Sequence, residues 1–359
     1  MAWRDRVAVV RLTSRQVNLM IEALLVVSVI TGLGSWVVVT AWARPLIVVH
    51  ALSGLALVVV APTKIRGPVR AGFKRQRDTR WMSAILGALV LATVALGVVH
   101  ATGLWYGVGE GSALWIHLLV GFALIPLAVW HVWTRPVHPR PADLNRRALL
   151  SGTAVVGIAG AVLVGQEAAA RAAGLAGGRR AGTGSHEVAS FEPESMPIVS
   201  WIDDRVPDID RTAWPLVAAG GSVAVDDLRR LAGPLEATLD CTGGWRSTQR
   251  WEVVSLAQVL GLGLGLPDGG GAGVGLALAE GTRSVRVRSA TGFTRLFSLD
   301  VLDEVYLATG YGGRSLRPGH GAPVRLVAPG RRGPWWVKWV VEVEPSRRPT
   351  WLQLPFPPT

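Results

Sequence analysis

One cysteine, Cys241, stands among the 359 residues of the chain. A lone thiol excludes an intramolecular disulfide, a zinc site built only of cysteines and a Cys-ligated iron–sulfur cluster. The charge also lacks the distribution that would suit a nucleic acid. The net charge is +12, but residues 1–147 hold 16 Lys/Arg against 5 Asp/Glu, and residues 148–359 hold 21 against 20. The excess therefore lies in short segments flanking apolar stretches, where it sets topology rather than forming a basic face on a folded domain. There is no internal repeat and no evident cleavable leader. Met1 to Val17 is basic, and the apolar run after it is as long as a membrane span.

What the chain has in quantity is apolar surface. Hydrophobic residues make up 50% of it and the mean hydropathy is +0.35, which favours a membrane class. The apolar windows are Asn18–Trp42, Leu46–Pro62, Trp81–His100, Ala113–Trp133 and Ala148–Gln166. Each is about 17–25 residues, long enough to cross a hydrocarbon core. Basic residues precede the first window (Arg4, Arg6, Arg11, Arg15), fill the loop after the second (Lys64 to Arg80) and follow the fourth (Arg135, Arg140, Arg146, Arg147). Only Arg44 lies between the first two windows, and Glu110 but no Lys or Arg lies between the third and fourth. The expected protein is multi-pass in the cell membrane, with a cytoplasmic N-terminus and everything after about residue 167 outside.

The small, Gly-rich stretch 168–190 reads as a flexible tether between a helical domain, 1–167, and a second domain, 191–359. In the second domain β-like runs recur at Ser284–Arg288, Pro323–Val327 and Trp336–Val343, with a short amphipathic helix near Leu256–Leu260. Pro267–Val274 reads as a loop tip. The expected fold class is a membrane all-α bundle of about five transmembrane helices, followed by an α+β, β-rich domain.

Five histidines, His50, His100, His117, His131 and His138, lie in or beside the spans. An ionisable group there is costly unless paired or liganded. His50 and His117 each stand four residues in from the outer end of a window, at matching depth roughly 6 Å below the interface. Two imidazoles at equal depth are what axial ligation of one haem b requires. His131 is 14 residues beyond His117, about 40° round the helix and roughly 21 Å deeper. It is the weaker candidate for haem iron, since no histidine matches it at the inner end of the second window. One outer haem is expected. The bland alternative is hydrogen bonding across helices, the role expected of His100 and His138.

Around the cysteine the chain reads Leu239-Asp240-Cys241-Thr242-Gly243-Gly244-Trp245-Arg246-Ser247. A thiolate, a Gly-rich turn and an arginine five residues on form an electropositive niche, expected to lower the thiol pKa and favour a soft metal. Further on come His320 to Gly330 and Trp335-Trp336-Val337-Lys338-Trp339, with basic residues and a Gly-rich turn suited to a phosphate or other anion.

These paired blocks resemble the molybdopterin-binding domain of the sulfite oxidase family, which includes the catalytic subunit of bacterial protein-methionine-sulfoxide reductase. The resemblance covers about residues 195–345. It implies that Cys241 is the protein's ligand to molybdenum and that Arg246 sits beside the metal. It further implies that His320, Arg325, Trp336, Val337 and Lys338 contact the molybdopterin, with Ser289 or Thr291 adding another contact and an N-terminal loop near Ser200–Asp204. No room is left for an immunoglobulin-like dimerisation domain. The first half resembles the small b-type cytochrome modules fused to such domains. Asn145-Arg146-Arg147-Ala148-Leu149-Leu150 resembles an internal twin-arginine export signal; plain positive-inside charge explains it equally well.

The expected activity is oxygen-atom transfer on a small oxo-substrate such as a sulfoxide or sulfite, with electrons exchanged with the quinone pool through the haem. The alternatives are a non-catalytic binding or sensory protein that keeps the fold, and a haem-only cytochrome with a structural outer domain.

Overall fold

The computed structural model describes residues 12–37, 40–64, 80–107, 111–200, 204–208, 210, 213–214, 216–265 and 278–354. Glu110, the basic loop 65–79, residues 201–203 of the N-terminal loop and Pro267–Val274 lie outside them. Two compact units are present: Met1–Ser35 with Trp42–His186, and Glu187–Thr359 with Trp36–Ala41.

The first unit is helical: α1 (Ser14–Val37), α2 (Thr40–Lys64), α3 (Arg80–Thr102), α4 (Ala113–Thr134) and α5 (Arg146–Ala172). All five are long and apolar enough to cross a membrane. The break between α1 and α2 falls before Trp42, not after it, because apolar residues run unbroken through the junction and hydropathy alone cannot mark it. Large apolar side chains point outward; Ile30 is 63% exposed, Leu119 58% and Val164 67%. Inside, Val17, Leu55, Ala56, Val60, Val155 and Ala159 join α1, α2 and α5, and Leu57, Val90 and Leu124 join α2, α3 and α4.

Residues 168–190 differ from the expected tether. They include the end of α5, a 3₁₀ turn at Ala176–Arg179 and the start of the short strand β1 (His186–Glu187). Arg180 pairs with Glu167 at 2.9 Å, and buried His186 bonds through Nε2 to the carbonyl of His100 at 2.9 Å. Glycine here serves close approach. A Cβ on Gly177 would run into the carbonyls of Ala101 and Thr102.

The second unit is built on two sheets. One centres on β5 (Trp245–Ser255), with β4 (Gly233–Asp240) on one side and β8 (Tyr306–Tyr311) then β10 (Arg325–Val327) on the other; β9 (Arg314–Ser315) pairs with β8. The other runs β3 (Gly221–Ser222), β2 (Val217–Ala218), β11 (Val340–Ser346), β6 (Ser284–Ser289), β7 (Thr294–Ser298). β11 is parallel to β2 and antiparallel to β6. Helices α6 (Val225–Leu231) and α7 (Leu256–Gly263) complete the unit, α7 opening on a Ser255/Gln258 capping box.

Two expected strands are shorter than the apolar runs that suggested them. Pro323 and Val324 precede β10. Trp336–Trp339 forms a bend, in which Trp336 closes a 3₁₀ turn and Trp339 adopts φ +50. Buried Trp251 and Trp339 anchor a single core.

Candidate functional site

The β4–β5 hairpin places the cysteine. Asp240 pairs with Arg246 at its last rung, and Cys241 to Gly244 makes the turn. Cys241 N donates to Trp245 O at 2.8 Å, Gly244 N to Cys241 O at 3.1 Å, and Gly243 N to the sulfur at 3.3 Å. Gly244 has φ +84, a conformation open to glycine. The loop after β10 is fastened to this tip. Arg332 Nη2 donates to Cys241 O at 3.2 Å and pairs with Asp240 at 3.5 Å, both side chains being buried. Gly333 permits the approach, since a Cβ there would lie 3.3 Å from Cys241 Cα.

Burial pushes the Cys241 thiol up, and Asp240 adds to the rise; the Gly243 amide and the charges of Arg332 and Lys338 oppose it. This corrects the expectation of a lowered thiol pKa. The thiol sits at the floor of the domain, where desolvation outweighs the nearby cations. Arg246 is not among the charges acting on it. It lies on β5 one residue past Trp245, with its Nε buried and unpartnered. The Trp245 indole N–H is likewise buried without an acceptor.

Arg325 is 1% exposed. Its guanidinium donates to the carbonyls of His320 (3.1 Å) and Trp336 (3.4 Å) and lies over the rings of Trp251 (5.2 Å) and Trp336 (5.6 Å). Burial pushes it down to about 10, while Tyr311 and Cys241 oppose the shift. No carboxylate pairs with it among the described residues, and a second buried cation, Lys338, lies within range of its charge. Such a group is costly unless an anion joins it.

His320 is 1% exposed and spends both ring nitrogens on protein. Nε2 donates to Pro197 O at 3.1 Å, and Nδ1 accepts from the Tyr311 hydroxyl at 2.7 Å. Burial first, and then the charge of Arg325, pushes it down to about 3. Its backbone is engaged as well, the N–H donating to Arg317 O at 2.9 Å and the carbonyl accepting from Arg325. Lys338 Nζ donates to Gly319 O (2.6 Å), Val199 O (2.9 Å) and Ser200 Oγ (3.4 Å), which uses its three protons. Burial, with Arg325 next, pushes it down to about 7.

The Trp336 carbonyl receives Arg325, and its indole donates to Arg331 O at 3.0 Å. Val337 O accepts from Leu326 N at 2.7 Å. Ser289 and Thr291 bond each other at 2.9 Å in the β6–β7 turn, which docks on Trp339 O through Ala290 N at 2.8 Å. Cys241, His320, Arg325, Trp336 and Lys338 are thus one cluster, with Ser289 and Thr291 at its edge. Arg332, Tyr311 and Arg317 were not anticipated. Arg332 had a signal, standing beside the Trp335–Trp339 block; Tyr311 and Arg317 act through His320 and had none.

In the helical unit the rings of His50 on α2 and His117 on α4 come together, centroids 5.9 Å apart and planes at 82°. His50 lies ten residues into its helix, deeper than expected. His50 Nδ1 bonds to Ser28 O at 2.8 Å and His117 Nδ1 to Thr93 O at 2.7 Å. Donation to carbonyls puts the proton on Nδ1 and leaves the Nε2 lone pairs for another partner. Gly32 and Gly97 make room; a Cβ would lie 3.0 Å from the His50 ring and 3.3 Å from the His117 ring. His131 is half-buried near the end of α4, with Lys64 and Arg135 as its charged neighbours. His100 packs edge-on against His186, centroids 4.9 Å apart. No group of three or more His, Cys, Asp or Glu able to hold a metal occurs among the described residues.

Residues 205–351 match the oxidoreductase molybdopterin binding domain. No curated protein matches the chain. Among solved structures, the sulfane dehydrogenase SoxCD from Paracoccus pantotrophus is similar at 21% identity, covering 40% of this chain and 40% of that one, with a TM-score of 0.33. The cluster around Cys241 lies within the matched residues, so the second unit carries a stretch that matches the oxidoreductase molybdopterin binding domain.

Proposed function

We propose that the protein is a membrane-anchored molybdenum oxidoreductase acting outside the cytoplasm on a small oxo-substrate, and that it exchanges electrons with the quinone pool through one haem b. The observation that carries this reading is Arg325, a buried guanidinium that no carboxylate pairs with among the described residues and that interacts electrostatically with the buried Cys241 thiol. That donor set fits a phosphorylated anionic cofactor with a soft metal. Bound there, the molybdenum centre would supply two-electron oxygen-atom exchange.

The chain's own residues would do the rest. Cys241 would give up its proton on ligating the metal, which offsets the rise that burial imposes on the free thiol. Arg325 would hold the cofactor's anionic end, and the bend at Trp336 and Val337 would offer backbone groups. Arg246 would donate its unpartnered Nε–H towards negative charge developing on the transferred oxygen. Ser289 and Thr291 would border the cofactor from the β6–β7 turn.

The outward apolar faces of α1 to α5 support a lipid surround. Arg15, Lys64, Arg135, Arg146 and Arg147 at alternate helix ends support a cytoplasmic N-terminus. His50 and His117 would hold the haem iron through the Nε2 atoms that their Nδ1 bonds leave open, and their ring centroids lie 5.9 Å apart. Metal analysis and a reduced optical spectrum on detergent-purified protein test the reading together. Molybdenum with a b-type band is expected. Protein free of both, produced in a host that makes molybdopterin and haem, would overturn it.

A further inference from the structure

Residues 193–200 cross the Lys338 side of the cluster as a strap, and side chains hold the carbonyls of Pro193, Glu194, Met196, Pro197 and Val199. Arg317 Nη1 takes Glu194 O at 2.7 Å and Nη2 takes Met196 O at 2.8 Å. His320 Nε2 takes Pro197 O, and Lys338 Nζ takes Val199 O. Behind His320 stand Tyr311 and Arg317. Arg317 Nε donates to the Tyr311 oxygen at 3.3 Å, the Tyr311 hydroxyl lies 2.7 Å from His320 Nδ1 and 3.3 Å from Pro193 O in the strap, and His320 Nε2 donates to the strap at Pro197 O. The arrangement admits one tautomer of a neutral ring. Gly319 adds a steric seat, because a Cβ there would strike Ile198.

We infer that Tyr311, Arg317 and His320 are positioning residues which latch this strap independently of the cofactor, and that the latch governs how long the cofactor stays bound. Lys338 belongs to the latch, since its three N–H bonds are already committed to the strap and to Gly319. The inference rests on the cofactor reading above for its consequence, not for the latch itself. With the strap fixed, Lys338 and Ser200 stand in one arrangement beside Cys241 and Arg325. With it loose, both swing, and the cofactor loses its enclosure.

The test is amide hydrogen exchange of residues 193–200 in the full chain in detergent, together with the rate at which molybdenum leaves the purified protein. Tyr311→Phe and His320→Leu should raise strap exchange about tenfold, the factor for one lost buried hydrogen bond, and should speed molybdenum release by a similar factor. His320→Gln, which offers both a donor and an acceptor, should restore both. Cys241→Ser should lose molybdenum yet leave strap exchange as in the wild type. A strap that stays protected in the latch variants, or that opens as widely in Cys241→Ser, would overturn the latch. A strap that opens with molybdenum release unchanged would overturn its role. Wild type holding no molybdenum would remove the cofactor reading, while the exchange measurement still reported on the latch. Should His320→Leu not fold, Tyr311→Phe, which removes a single hydroxyl, decides the matter.

Discussion

The two units solve opposite burial problems. The helical unit turns its large apolar side chains outward and keeps small and polar groups within: Ser28 and Ser53 bond each other at 2.7 Å, and His50 and His117 face each other. The β-rich unit buries Trp251, Trp336 and Trp339 and then draws Arg325, Arg332 and His320 into that interior. In the first, the Nδ1 bonds of His50 and His117 leave their Nε2 atoms open; in the second, no carboxylate pairs with the Arg325 cation among the described residues. Each unit therefore carries a deficit of one partner, and the two deficits are of opposite sign. That contrast is a stronger pointer to two different bound groups than either site alone.

The contrast can be broken at either end. Cys241→Ser should abolish oxidoreductase turnover and molybdenum content, with the optical spectrum of the helical unit unchanged; turnover assays and metal analysis on one preparation check this. His50→Ala or His117→Ala should do the reverse, removing the b-type band while molybdenum remains. Gly97→Val, which adds bulk beside the His117 ring, should weaken the same band without touching either ligand.

Arg325→Met sharpens the comparison. Removing a buried unpaired cation should change the stability of cofactor-free protein by no more than about 1 kcal/mol, in either direction. Cofactor retention should fall by one to two orders of magnitude, the effect of losing a charge-assisted contact worth about 1.5–3 kcal/mol. Denaturant melts of cofactor-free protein, set beside molybdenum content, separate the two effects.

A further effect is one of pH, spread over several pH units. His320 is pushed down to about 3 in the fold from an ordinary 6.5. Between those values the unfolded chain binds a proton that the native ring refuses, so stability is complete above pH 6.5 and is lost as pH falls towards 3. The slope should reach at most about 1.4 kcal/mol per pH unit. Melts across that range should show it, and His320→Gln should flatten it.

Much of this was legible in the residues. Five apolar stretches became five helices because length and hydropathy are sufficient for a span. His50 and His117 meet, but not through equal distances from their helix starts: α2 begins at Thr40 and sets His50 ten residues in, whereas His117 stands four residues into α4. Cys241, His320, Arg325 and Lys338 converged as the two blocks suggested. Other features were hidden for physical reasons. Gly177 reads as a linker glycine, but its missing Cβ serves contact with the end of α3, which only the fold reveals. The rise in the Cys241 thiol pKa depends on burial, and Arg332, not Arg246, is the arginine that holds Cys241. Tyr311 carries no motif; its role exists only once β8 brings it to His320. Arg146 and Arg147 sit at the positive end of a helix dipole, where cations are disfavoured, so helix stability does not account for their placement.

X-ray absorption at the molybdenum edge, on wild type and Cys241→Ser protein, tests the central claim most directly. The account predicts a molybdenum–sulfur shell in wild type, with the cysteine's share missing in any metal the variant retains. A wild-type spectrum without molybdenum, or one identical in the two proteins, would contradict it.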